Sequence, residues 1–542
     1  MSMRPDSDAM STAAAASDSA SASASASASA AAPAGPMKPS SLKRGAISMT
    51  AANMLDFGLQ FLLPVLLVRL LPSAAFADYR LVWLAIGTAM AVAPFALPRS
   101  LFYFLPRLAP GARGVYVRRT LLLLLASGVA AGLLLGPWNA LLPASLRAVD
   151  GAAWFMPAFL GLWVAASLIE FLPNAGGDMR GQAAVIVALA LLRVLMVGAA
   201  AFWGRADIVF AVLVAYAAIK LTLVLRHIGI HYGWPKGRAP GSAHQYHGAA
   251  EQGGGASLRT QLAYVLPFGL SSALFLLRGQ ADQWVAAALF PAAAFAAFSI
   301  GAVIMPLVTL VRNSVSNAIA PHLSALESER DQAGMLRLNQ RANLASAFVL
   351  LPTLTLSAVL AVHIVTLVYT TTYLAAAGVM RVNALALLGV TVEVSTLTVV
   401  LGQGRFLLAA DAVLLCASLV ASVTGALLFG LPGAALGNAL TLSAGNAFSF
   451  WRVARVTGVP LRQLQNWSLL LRILLAALGA GVATALLDHA DLLHATLPEA
   501  LLLAAAFAGA YGLLLWLCGA MPSARALFLR PRPVFATVGD QP

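Results

Sequence analysis

Leu70-Leu-Pro-Ser-Ala-Ala-Phe-Ala-Asp-Tyr79, in the first half of the chain, returns in the second half as Leu289-Phe-Pro-Ala-Ala-Ala-Phe-Ala-Ala-Phe298. Alanine and leucine matches carry little weight in so apolar a sequence, but the shared Pro-x-x-x-Phe-x-x-aromatic pattern does. A second pair precedes it in the same order: Leu55-Asp-Phe-Gly-Leu59 and Leu266-Pro-Phe-Gly-Leu270. The chain therefore reads as a duplication.

Composition says what is duplicated. Of 542 residues, 60% are hydrophobic and only 10% charged, against ~25% charged in ordinary soluble domains. Apolar runs recur almost to the end with short gaps, so a water-soluble fold and a large extramembranous domain are both excluded. A crossing helix needs ~20 mostly apolar residues. About fourteen such spans are predicted, near 45–71, 81–105, 119–142, 152–172, 183–203, 207–226, 260–280, 284–311, 343–369, 382–402, 406–430, 432–451, 467–487 and 498–519. The first third of the span at 284–311 reads as a loop or a half-helix. The fold class expected is an all-α polytopic membrane protein. Its organisation is a Ser/Ala-rich disordered tail (1–42), a six-helix lobe (43–226), a Gly/Pro/His-rich linker (227–259), a second six-helix lobe (260–456), two additional helices (457–520) and a C-terminal tail (521–542). Because six is even, both copies enter from the same side, giving parallel repeats related by an axis along the membrane normal, an arrangement associated with alternating-access carriers.

Orientation follows from the basic residues. With the N-terminus inside, alternate loops hold Lys38, Lys43 and Arg44; Arg107, Arg113, Arg118 and Arg119; Lys236, Arg238 and Arg259; Arg330, Arg337 and Arg341; Arg452, Arg455 and Arg462; and Arg525, Arg530 and Arg532. The opposite loops carry Asp78, Asp150, Asp207, Asp488, Asp491 and Glu499. That is the positive-inside pattern, with both termini cytoplasmic. It also accounts for the net charge of +14 without nucleic acid, since the bases are scattered between spans rather than gathered on one face. The N-terminal run lacks the basic and aliphatic regions of a secretory signal. Cys416 and Cys518 lie inside apolar runs and read as packing residues, not a disulfide framework.

Nucleotide-binding and hydrolytic motifs are missing: no Walker A sequence, no Gly-x-Ser-x-Gly, no His-Glu-x-x-His. Attention turns to polar residues inside spans, which are costly in lipid and mark either a polar cavity or interhelical pairs. Asn53, Asp56 and Gln60, at i, i+3 and i+7, share one narrow face of the first span. Either they form a helix-helix hydrogen-bond seam or they line a water-filled cavity. Intramembrane bases are Arg99, Arg193, Lys220, Arg278, Arg312 and Arg472, against the acids Asp56, Glu170, Asp282, Glu393 and Asp411. An excess of bases on one cavity would favour an anion, and the arginine fork suits phosphate oxygens. Arg99 and Arg193, both mid-span, are the stronger substrate candidates. Lys220, Arg312 and Arg472 lie near span ends, where a long base can snorkel to the interface. Arg278 and Asp282 stand at i, i+4, as a structural ion pair would. Glu393, among Thr391, Ser395, Thr396 and Thr398, is a candidate protonatable carboxylate for ion coupling, with Asp56 and Asp282 beside it in that role.

Other features take plainer readings. His227, His231, His244 and His247 mark a polar loop rather than a physiological metal site, and the segment 322–341 reads as a cytoplasmic amphipathic helix. Gly128-x-x-x-Gly132 and Gly433-x-x-x-Gly437 permit close helix approach.

From about 43 to 465 the chain resembles the polysaccharide-transport branch of the multidrug/oligosaccharidyl-lipid/polysaccharide (MOP) exporter superfamily. The resemblance is carried by Leu70 to Tyr79, Asp282-Gln-Trp through Phe298, Asn317-Ala-Ile-Ala-Pro-His-Leu323 and Val399-Val-Leu-Gly-Gln-Gly-Arg405. It implies two six-helix lobes around a V-shaped cavity, two extra C-terminal helices, and transfer of an undecaprenyl-diphosphate-linked oligosaccharide across the bacterial inner membrane for O-antigen, capsule or exopolysaccharide synthesis. No cofactor is implied beyond a proton or sodium gradient. A polysaccharide polymerase and a chain-length regulator are the implied partners. The family brings no invariant site residues, so Arg99, Arg193, Arg278, Lys220, Arg312, Asn53 and Gln60 as substrate-binding residues, and Asp56, Glu393 and Asp282 as ion-coupling residues, rest on the reading above. Two alternatives stay open: a multidrug/cation antiporter of the same superfamily, and a membrane-embedded polysaccharide polymerase or ligase.

Overall fold

In hydrocarbon a backbone must satisfy its own N–H and C=O groups, which for a single chain segment means a helix. In the computed structural model, residues 39–149, 151–175, 178–233, 257–490 and 496–521 are described, and every regular element among them is helical. Most of both tails, the linker residues 234–256 with His244 and His247, and Asp150 and Asp491 lie outside the described residues. Among the described residues, twelve helical stretches are long and apolar enough to cross a membrane, so the chain is a multi-pass membrane protein. One of the twelve, Gly404–Thr457, is interrupted at Gly430 (φ 67°, ψ −146°), between the two spans expected at 406–430 and 432–451. The span expected at 382–402 is discontinuous: a helix of 13 residues, a non-helical stretch, and a second short helix.

The described residues divide into two compact units, 39–296 and 297–521. The first unit holds α1 (Pro39–Leu70), α2 (Ser73–Val92), α3 (Leu97–Phe104), α4 (Pro110–Leu134), α5 (Ala152–Ala166), α6 (Met179–Ala201), α7 (Ala206–Tyr232), α8 (Leu258–Arg278) and α9 (Ala281–Leu289). Its core pairs α1 with α6 and packs α5 between α4 and α7. Gly128 and Gly132 of α4 sit directly on the backbone of α5 at Leu160, Gly161 and Pro157, with no room for a Cβ. Small residues here do the packing expected of them. Between α2 and α3 the chain turns through Phe95 and Ala96, both at positive φ (47° and 56°), a conformation that costs non-glycine residues energy. Gly269 of α8 abuts that bend through Phe95, so the glycine of the second Phe-Gly-Leu marks a close approach.

α10 (Ala292–Gly301) leads into the second unit, which holds α11 (Ile304–Ser328), α12 (Gln332–Val359), α13 (Ala376–Leu388), α14 (Ser395–Val400), α15 (Gly404–Thr457), α16 (Trp467–Ala490) and α17 (Leu497–Leu517). α12 is central, packing against α11, α13 and α16, with Phe348, Leu351, Ile473 and Ala477 buried where it meets α16. The two halves of α15 fold back on each other, Gly433 against Gly425 and Gly437 against Ser422.

The repeated motif forms the same local structure twice. Each proline follows a helix end, and its carbonyl accepts the N–H of the phenylalanine four residues on, at 3.0 Å in both copies (Pro72 with Phe76, Pro291 with Phe295). Proline lacks a donor to continue the preceding helix and suits the start of the next. Phe76, Tyr79, Phe295 and Phe298 are all buried. The span expected at 284–311 is broken at Phe290-Pro291 and again near Ala302, in keeping with a half-helix at its start. The amphipathic helix expected at 322–341 is instead a corner: α11 stops at Ser328, Arg330 takes φ 57°, and Asp331 caps α12 by accepting the Gly334 N–H at 2.8 Å. The apolar period survives through both arms, which is why it read as one helix.

Candidate translocation cavity

Polar residues of α1 meet those of α5, α6 and α7 on one cavity of about 440 Å³ in the first unit. Asn53, Asp56 and Gln60 all line it, as their shared helical face allows. α1 packs along α6, which places Arg193 opposite Asp56: Arg193 Nη2 lies 3.1 Å from Asp56 Oδ1, and Gln60 Nε2 donates to Asp56 Oδ2 at 2.7 Å. Arg193 is only 6% exposed, so the carboxylate offsets the desolvation of its charge. Its Nε is buried with no hydrogen-bond partner among the described residues.

A second ion pair faces the same cavity. Lys220 Nζ is 2.5 Å from Glu170 Oε1 and 4.9 Å from the centre of the Trp163 ring. Glu170 reaches it because α5 tightens into a 3₁₀ turn at Ser167–Glu170, and Gln182 ties off that turn by donating to the Ile169 carbonyl at 3.1 Å. The expectation that Lys220 snorkels at a span end is corrected here: the lysine is 3% exposed. α7 runs to Tyr232, about 18 Å of helix beyond it at 1.5 Å per residue. Glu170, Trp83, Trp163 and Gln182 also line the cavity. Glu170 was counted among the intramembrane acids but given no role, and Trp83, Trp163 and Gln182 were not singled out from sequence; the proline at Pro173 was the available sign that the helix holding Glu170 ends there.

Two bases, Arg193 and Lys220, thus face two acids, Asp56 and Glu170, and the excess of bases expected over the whole chain is not repeated on this wall. Arg99, Arg278 and Asp282 do not line it. Arg99 is exposed on α3 just past the Phe95 bend. Arg278 and Asp282 are buried at the α8–α9 junction, where the Arg278 guanidinium lies 5.4 Å from the Phe275 ring centre and Asp282 accepts the Gln283 N–H at 2.9 Å.

The second unit brings Arg312 and Glu393 together as an ion pair. Glu393 lies where the tenth span is unwound, between α13 and α14. Ser316 and Ser395 donate to its carboxylate at 2.8 and 3.0 Å. The freed backbone is satisfied by asparagines: Asn343 accepts from the Glu393 N–H at 3.0 Å and donates to its carbonyl at 2.8 Å, while Asn446 donates to the Val392 carbonyl at 2.6 Å. Non-helical backbone at membrane depth is tolerated only when such groups re-satisfy it. Arg312, like Lys220, is not at a helix end, since α11 continues to Ser328.

These features define a multi-helix membrane body with charged groups held inside it. Residues 253–378 match the family model described as "Polysaccharide biosynthesis protein". The fold is similar to that of the lipid II flippase MurJ in an inward closed conformation, with a TM-score of 0.63 at 13% identity over 89% of this chain and 100% of that one. It is also similar to an inward-facing multidrug resistance MATE family transporter of the MOP superfamily, at a TM-score of 0.50 and 15% identity over 76% of this chain and 96% of that one. No curated protein sequence matches the chain. The likeness to both solved structures is one of fold.

Proposed function

We propose that this chain is a flippase carrying undecaprenyl-diphosphate-linked oligosaccharide repeat units across the bacterial inner membrane for surface-polysaccharide synthesis. The observation that carries the reading is the cavity wall with two cations, each held by an exchangeable carboxylate, beside the amides of Asn53 and Gln60 and the rings of Trp83 and Trp163. A diphosphate can replace Asp56 on Arg193 and Glu170 on Lys220, and the unpartnered Nε of Arg193 offers it one further donor. Amides and aromatic faces suit sugar hydroxyls and ring faces, and the prenyl tail stays in lipid. A proton or sodium ion arriving at Asp56 or Glu170 releases the cation for substrate, so coupling and binding share the same pairs. Glu393, held on unwound backbone beside Arg312, is a third coupling carboxylate. The delivered product would feed a polysaccharide polymerase and chain-length regulator.

The test is leaflet-resolved. In a clean deletion strain, lipid-linked oligosaccharide is probed with a glycosidase in inverted and in right-side-out vesicles. Accumulation confined to the cytoplasmic leaflet is expected; unpolymerised substrate on the outer leaflet would place the defect at a polymerase or ligase instead.

The balance of acids and bases, with two tryptophans, also favours a second reading: an antiporter for organic cations, bound by Asp56 and Glu170 after displacing the protein's own bases. Drug susceptibility that rises on deletion, with polysaccharide export intact, would select it.

A further inference from the structure

Past the end of α12 the chain makes a short helical turn, Ala361–Ile364, and then a wider π-helical one, Val365–Tyr369. Such departures from α-helix gather at functional sites. His363, in this turn, is 4% exposed, and neither of its ring nitrogens has a hydrogen-bond partner among the described residues. Two carboxylates from the hairpin of α16 and α17 face it. Nε2 lies 3.7 Å from Asp488 Oδ1 and 4.0 Å from Glu499 Oε1, too far for hydrogen bonds. One ligand atom from each of the three residues falls within 4.8 Å of the others.

Both acids are positioned by their helices. Glu499 sits in the first turn of α17, where its other oxygen, Oε2, accepts the Thr496 N–H at 3.5 Å in a capping box. Asp488 is near the end of α16, which packs on α12 through Gly481 against Thr355. We propose that His363, Asp488 and Glu499 bind a divalent transition-metal ion of the zinc class, with water completing the shell. Ligand bonds of ~2.1 Å in a tetrahedral site put neighbouring ligand atoms ~3.4 Å apart, so the histidine-to-carboxylate separations of 3.7 and 4.0 Å must close by about half an ångström, and the two carboxylates, within 4.8 Å of each other, by about an ångström at most. The imidazole nitrogen selects zinc-like ions over magnesium or calcium, which prefer oxygen throughout. The carboxylates, 24% and 23% exposed, give an ion its way in. An occupied site would fasten the last two helices, which lie outside the duplicated region, to the end of α12. It stands independently of which substrate the protein carries.

The test uses the full-length, tag-free protein in detergent, with zinc and cobalt as probes. After desalting, about one equivalent of zinc per chain should remain, cobalt should give the visible absorption of a tetrahedral site, and the melting temperature should rise with zinc and fall with EDTA. His363→Gln and Asp488→Asn should each lose all three signals. His231→Gln should keep them, which excludes the neighbouring His227 and His231, with ring centroids 4.3 Å apart, as the source. If His363→Gln does not fold, Glu499→Gln serves in its place, because its half-open position tolerates change. No retained metal in the wild type, or equal retention in the variants, would overturn the proposal. So would stabilisation on acidification from about pH 8 to about pH 6 without any metal effect, which would make the cluster a histidinium ion pair.

Discussion

Asp56 and Arg193 hold each other in place, so replacing either one alone leaves a buried or half-buried charge behind. Removing a partner from a fully buried pair costs ~3–5 kcal/mol. With Asp56 29% exposed, Asp56→Asn should cost less, about 1–3 kcal/mol, seen as a lower melting temperature in detergent. The double variant Asp56→Asn/Arg193→Gln should recover most of that stability without recovering transport. Arg193→Gln alone should slow transport roughly ten- to a hundredfold, the equivalent of ~1.5–3 kcal/mol for hydrogen bonds to a charged group. Equal transport in the double variant and the wild type would separate this pair from the substrate path. Glu393→Gln keeps one of the two acceptor oxygens used by Ser316 and Ser395 and loses the charge facing Arg312. Transport in vesicles should then stop responding to an imposed proton or sodium gradient, while an unchanged response would remove Glu393 from coupling. At this scale the sequence was partly readable. The i, i+3, i+7 spacing of Asn53, Asp56 and Gln60 put them on one face, and they line one cavity. The pairing of Lys220 with Glu170 was not readable, because it depends on a 3₁₀ turn and on a partner fifty residues away.

Among the elements, the hairpin inside Gly404–Thr457 turns on one glycine. Gly430 sits at φ 67°, ψ −146°, a region essentially closed to other residues and costing on the order of 1–3 kcal/mol when forced. Gly430→Ala should lower the yield of monodisperse protein in size-exclusion chromatography; an unchanged yield would mean the turn relaxes. Gly132→Leu drives a side chain into the α5 backbone at Pro157 and should be worse, since the helices must separate to admit it. Both glycines were visible beforehand, one at a span boundary and one in a small-residue spacing. The unwinding at Glu393 and the corner at Arg330 were not. Hydropathy counts apolar residues and is blind to which backbone groups an asparagine in another span, 50 or 54 residues away, will satisfy, and a capped corner between two helices leaves the apolar period intact.

For the molecule as a whole, composition and span spacing were enough to read a polytopic helical body, because hydrocarbon leaves the backbone few options. What composition misjudged was the charge of the cavity: bases outnumber acids over the chain, yet Arg193 and Lys220 are matched by Asp56 and Glu170 where they meet. The most direct measurement is transport by the purified protein in proteoliposomes loaded with an undecaprenyl-diphosphate-linked oligosaccharide, followed as the fraction that becomes accessible to an external glycosidase. Accessibility should rise with time in wild-type vesicles, and roughly ten- to a hundredfold more slowly for Arg193→Gln. A rate no different from protein-free liposomes under every imposed gradient would contradict the flippase reading.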